Sequence, residues 1–101
     1  TPAEEVNLPD RFALQQNYPN PFNPETVIEF QLPRQSRVRL RVVDVLGRTV
    51  KLLVEGDLEA GYHKVQWNGT NVSGSPVANG LYFYIMEADD FKCIRKALLL
   101  K

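Results

Sequence analysis

Hydrophobic and polar residues alternate along most of this chain with the two-residue period of strands that bury one face. In Thr26-Val27-Ile28-Glu29-Phe30-Gln31-Leu32, Ile28, Phe30 and Leu32 fall on one side and Glu29 and Gln31 on the other, and Pro33 ends the run. Val38, Leu40 and Val42 alternate with Arg37, Arg39 and Arg41, predicting a strand to about Val45. Leu46-Gly47-Arg48 interrupts it, with Gly47 suited to a positive-φ turn, and Thr49 to Val54 resumes as the hairpin partner. Glu59-Ala60-Gly61 predicts a turn before His63-Lys64-Val65-Gln66-Trp67, which sets Val65 and Trp67 on one face. Residues 68–79 are rich in Gly, Asn and Ser and predict a loop. Leu81 to Ala88 is strongly β-prone, Asp89-Asp90 predicts a tight turn, and Phe91 to Leu100 a closing strand. Phe12 to Gln16 adds a short edge strand, and no segment carries a helical period. The expected fold is all-β, an antiparallel Ig-like β-sandwich of about seven strands over residues 12–101, with a closed barrel as the alternative. Residues 1–11 are polar and acidic, with Pro2 and Pro9, and read as a linker from an upstream domain.

The alternation is broken most sharply by Asn17-Tyr18-Pro19-Asn20-Pro21-Phe22-Asn23-Pro24. Each proline removes a backbone donor and fixes φ, and the residue before it is driven to extended geometry. Helix and central strand are both excluded. Tyr18 and Phe22 are expected to pack onto the sandwich and fix how the linker enters it.

Composition narrows the function classes. With 12 basic and 12 acidic side chains, the chain has no nucleic-acid stripe. The single Cys93 forms no internal disulfide. It lies in an alternating strand, where a free thiol acts as a small buried hydrophobe. The one histidine, His63, is assigned a solvent-facing strand position rather than a catalytic one. No nucleophile elbow, P-loop, zincin or EF-hand pattern occurs, so no enzyme and no cofactor is expected. Asp89-Asp90, with Asp57 or Glu55, could gather oxygens for calcium, but adjacent aspartates in a short turn read first as turn formers. Asn68-Gly69-Thr70 and Asn71-Val72-Ser73 match the glycosylation sequon, a pattern that recurs by chance in such loops. Tyr18, Tyr62, Trp67, Tyr82 and Tyr84 could form a sugar-stacking platform, making a carbohydrate-binding module the alternative function. Trp67, Tyr82 and Tyr84 are in phase with aliphatic residues, however, which predicts core. The arginines at 37, 39 and 41 read as a solvated face.

Four ordered blocks carry a resemblance. Leu14 to Pro24 followed by Thr26-Val27-Ile28-Glu29-Phe30 resembles the opening of the C-terminal sorting domain of type IX (Por) secretion. Val42 to Val50 is similar to that family's central hairpin. Ala60-Gly61-Tyr62-His63 through Val65-Gln66-Trp67-Asn68-Gly69 resembles the next block, where the family often has Asp for Asn68. Asn79 to Tyr84 and Arg95 to Lys101 resemble its close. Related modules occur in flagellar hook-capping proteins. The resemblance implies a non-enzymatic domain that carries an upstream cargo across the outer membrane of Bacteroidetes, periplasmic in transit and then secreted or attached to the cell surface. It implies as partners the secretion machinery and a sortase-like peptidase, with cleavage in or near residues 1–10. It also implies a recognition face of Gly47, Arg48, Lys96, Leu98, Leu99, Leu100 and Lys101, with Asn17, Tyr18, Pro19, Asn20, Pro21 and Phe22 as a structural signature. An exposed closing strand could also pair with a neighbouring copy as a weak, edge-mediated homodimer.

Overall fold

The computed structural model describes residues 8–101, so most of the linker expected over residues 1–11, with its cleavage point, lies outside the described residues. Seven strands form two antiparallel sheets: β1 (Ala13–Leu14), β2 (Thr26–Leu32), β3 (Ser36–Val43), β4 (Thr49–Leu58), β5 (Gly61–Trp67), β6 (Gly80–Ala88) and β7 (Phe91–Leu99). One sheet runs β1-β2-β5 and the other β4-β3-β6-β7. The ladders do not close on one another, which makes the fold an Ig-like sandwich and removes the barrel alternative.

Alternation decides the core. Ile28, Phe30 and Leu32 of β2 face Val38, Leu40 and Val42 of β3 and Tyr84, Met86 and Ala88 of β6, all almost without solvent exposure. Glu29, Arg37 and Arg39, in the opposite phase, stay at the surface, whereas Val43, past the register shift after Val42, is covered. β4 extends to Leu58, well past the expected Val54. Glu55 and Asp57 lie opposite Arg39 and Arg37 in register, so opposite charges paired across the strands carry the ladder through Gly56. In the other direction β3 stops at Val43, short of Val45. There the Asp44 carboxylate takes over, accepting hydrogen bonds from Leu46 N (2.9 Å) and Arg48 N (3.0 Å) and turning the chain. Gly47, at φ 82°, supplies the left-handed residue.

Two expectations fail on phase. His63 is half-buried on the same side of β5 as Val65 and Trp67, its ring stacked on Phe30 with centroids 5.2 Å apart. Its Nε2 lies 2.8 Å from the Glu59 carbonyl. Odd-numbered residues of β5 all point inward, so His63 lies against the core rather than facing solvent. Tyr18 is 80% exposed. Its backbone pairs with Val27, whose side chain points outward, so the ring follows onto the outer face. Asp89, at φ 52°, makes the predicted tight turn, and its carboxylate accepts from Arg34 Nε (3.0 Å) and Ser36 Oγ (3.4 Å).

Candidate docking site on the closing strand

Because β7 is an edge strand, its even-numbered residues point their backbone N–H and C=O away from β6. Over the C-terminal half these groups are taken up by the proline segment. Phe22 N donates to Leu98 O at 2.9 Å, and Leu100 N donates to Phe22 O at 3.0 Å. Asn20 Oδ1 accepts from Leu98 N at 3.0 Å, and Gln16 Nε2 donates to Lys96 O at 2.6 Å. Arg95 Nε closes the seam on Leu14 O at 2.6 Å. Prolines cannot form a ladder, so one residue with a free N–H and two side-chain amides do its work.

The strap is anchored at both ends. Phe22 is 1% exposed, its ring 5.3 Å from Trp67, which in turn meets Tyr82 edge-on at 5.4 Å. Trp67 Nε1 donates to Thr70 O at 2.9 Å. At the other end Asn17 is buried and fully used. Its N donates to the Tyr84 hydroxyl (2.8 Å) and its Nδ2 to Thr26 Oγ1 (2.9 Å) and Pro19 O (3.1 Å), while its Oδ1 accepts from Gln16 (2.7 Å). The Tyr84 hydroxyl donates onward to Gln15 O at 2.8 Å. Burial drives the Tyr84 phenol up to about 12 against a smaller, opposing effect of the Asn17 N–H. Gly69 completes the fit, since a Cβ there would stand 3.1 Å from Pro24 O at φ +72°.

The remaining recognition residues converge on the same end of the sandwich. Lys101 N donates to Asn79 Oδ1 (3.0 Å) and Lys101 Nζ to Val77 O (2.6 Å). Val77, Tyr82, Asp44 and Arg48 then line one open cleft of about 350 Å³. Thus Gly47 and Arg48 at the hairpin and Lys101 at the tail flank a common surface. Arg48 Nε is 2.8 Å from Asp44 Oδ2. Burial pushes the Asp44 carboxyl up, but hydrogen bonds from the Arg48 backbone and side chain and from Leu46 N outweigh it and hold the pKa below its ordinary value. Tyr82, whose hydroxyl donates to Ala78 O at 2.6 Å, is raised by burial and then by the Asp44 charge.

The tail is not uniform. Lys96 and Lys101 are exposed, Leu100 is 49% exposed and Leu98 is half-buried on the outer face, whereas Leu99 is wholly core. In the folded sandwich, then, the Leu99 side chain holds the tail in place and its neighbours face outward. Trp67, Tyr82 and Tyr84 are core residues, which removes them from any sugar platform. Gln16, Asn20, Thr26, Asn79 and Arg95 went unpredicted as parts of the seam. For Gln16 and Asn20 the signal was the run of amide side chains around prolines, where the backbone lacks its own donors; Thr26, Asn79 and Arg95 carried none.

A sealed sandwich with no helix among the described residues defines an Ig-like module, and comparison with known proteins places it in a family. The FlgD Ig-like domain model matches residues 18–90, and the chain belongs to that family. It is 38% identical over 55 residues to the basal-body rod modification protein FlgD of Salmonella typhimurium, and equally to that of Salmonella typhi. The match covers 54% of this chain and 23% of those relatives. Two solved structures share the fold. PorU of Porphyromonas gingivalis, described as dimeric and latent, superposes with a TM-score of 0.68 at 16% identity, over 88% of this chain and 9% of PorU. PorZ of the same organism, described as an essential bacterial surface component of the type IX secretion system, superposes with a TM-score of 0.59 at 20% identity, over 91% of this chain and 12% of PorZ.

Proposed function

We propose that this chain is the non-catalytic sorting domain of a larger type IX secretion cargo. In this reading the surface formed by Arg48, Lys96, Leu100 and Lys101 docks on the secretion machinery. The observation that carries it is the seam between Asn17–Phe22 and Lys96–Leu100. It ties the two ends of the family resemblance into one rigid element and presents the tail on a folded edge. The shared fold with a type IX surface component supports the reading. The cargo passes through the periplasm and is then secreted or held at the cell surface, with a sortase-like peptidase acting in or near residues 1–10. A reporter fused ahead of residue 1 should be exported in a host with this secretion system and retained in the periplasm once Leu98–Lys101 are deleted. Because that deletion also removes the core residue Leu99, the deciding variant is Arg48→Glu/Lys101→Glu, which leaves the core intact. Normal export of a folded fusion carrying that pair would refute the docking surface.

The family match favours one other reading, a purely structural Ig-like module in an assembly such as the one that the rod modification proteins serve. A module of that kind would leave the fused reporter in the periplasm with or without the tail.

A further inference from the structure

The outer face of the four-stranded sheet is divided into two halves. Across β4-β3-β6-β7, one row reads Glu55-Arg39-Glu87-Lys92, alternating in sign. Two residues further along, the row is Leu52-Arg41-Ile85-Ile94, and beyond it Val43 pairs with Phe83. Partners in register share a face, and the residues between them point into the core. Ile94 is 53% and Leu52 38% exposed, whereas Ile85 (8%) and Val43 (4%) are covered by their neighbours, so the second half is apolar and is open at its two outer strands, β4 and β7. Arg41 lies within it. Its Nη1 reaches Thr49 Oγ1 at 3.3 Å, but its Nε is buried and without a hydrogen-bond partner among the described residues.

We propose that two copies of the chain meet on this face, related by a two-fold axis parallel to the strands and midway between β3 and β6. The axis sets β4 against β7 of the second copy and β3 against its β6. The row of charges, antisymmetric about its centre, then faces its own reverse. Glu55 meets the second copy's Lys92, and Arg39 meets its Glu87. In the next row Leu52 meets Ile94 and Arg41 lies over Ile85. A two-fold contact must be self-complementary, and this order of charges is. A two-fold running across the strands would instead set each strand on itself, stacking Arg39 on Arg39 or Glu87 on Phe83. Four strands at ~4.8 Å spacing and about seven residues of length give a footprint of roughly 450 Å². That is below the ~800 Å² per partner of a standard interface, so the dimer is weak and concentration-dependent. Sheets packed face to face at ~10 Å leave the cleft between Arg48 and Lys101 uncovered, while Lys96, in register with Phe83, lies at the rim of the dimer face. The dimer does not depend on the sorting role.

The test uses sedimentation over a concentration series for the wild-type chain, Lys92→Glu and Glu55→Lys. Both positions are exposed, and losing the surface pairs Glu55–Arg39 and Lys92–Glu87 within the chain costs about 1 kcal/mol at most, so the fold is retained. Wild type should self-associate, and each variant alone should do so at least about tenfold more weakly, since both symmetric pairs become like-charged. Mixed one to one, the two variants should form a heterodimer of near wild-type strength, because each contact then again joins opposite charges. Ile94→Glu should abolish association in every combination. A wild type that stays monomeric throughout overturns the proposal. So do variants that self-associate like wild type, as contact through a strand edge would give, and a mixture no stronger than its parts.

Discussion

The two halves of β7 are held in different ways. From Lys96 to Leu100 the strand is bonded on both sides, to β6 and to the proline strap. From Phe91 to Ile94, among the described residues, only the ladder to β6 holds it, helped by the Phe91 ring stacked on Phe12 at 5.5 Å and Arg34 lying 5.1 Å over Phe12. An unpaired edge invites other chains. Here a segment that cannot be a strand seals the half of the edge that carries the tail. The edge-mediated pairing expected of the closing strand therefore finds Lys96–Leu100 already occupied, and only Lys92–Ile94 open.

The sharpest way to break this contrast is to remove one aromatic from each half. Phe22→Ala should cost about 3–5 kcal/mol in urea unfolding, the range for emptying a buried phenylalanine site. Phe91→Ala, on a half-buried side chain, should cost about 1–2 kcal/mol. Equal costs would mean that the strap is not the stronger anchor. Asn17→Ala should follow at about 1–2 kcal/mol, since it removes the buried amide bonds to Thr26 Oγ1 and Pro19 O while those two groups keep their own bond at 2.9 Å.

Alkaline titration probes the same network. The folded pKa of Tyr84 is raised from 10.0 to about 12, so its contribution is complete below pH 10 and lost as pH rises towards about 12. Tyr84→Phe should remove that limb of the stability curve. At the hairpin the sign is opposite. The lowered Asp44 pKa gives stability present above its ordinary 3.8 and lost as pH falls through the lower folded value, and Asp44→Asn should flatten that acid limb. The smallest global effect, about 1 kcal/mol, is expected for Asn20→Ala, which removes one exposed hydrogen bond. Its local effect is larger. In the wild type the Leu98 and Leu100 amides should exchange slowly and those of Lys92 and Ile94 quickly, and this variant should release Leu98 alone.

The sandwich was legible because its information is periodic. Inward residues of β2, β3 and β6 announce themselves two apart, and the turns at Gly47 and Asp89 carry their own chemistry. Trp67, Tyr82 and Tyr84 were readable as core for the same reason. The seam was not, because it joins Asn20 to Leu98 across 78 positions through a side-chain amide, and such pairings leave no period. Reading the N-terminal signature and the C-terminal tail as separate structural and functional elements missed that each satisfies the other's backbone. The exposure of Tyr18 was hidden similarly, since it depends on a single bridge to Val27.

The central claim is that the sealed end of β7, and not the sandwich in general, is what the secretion machinery reads. One charge reversal at each end of a reporter fusion tests it most directly: Lys101→Glu at the sealed end, and Arg37→Glu at the opposite end. With all fusions folded, the account predicts periplasmic retention of the first and normal export of the second. Equal export of both, or equal retention, would contradict it.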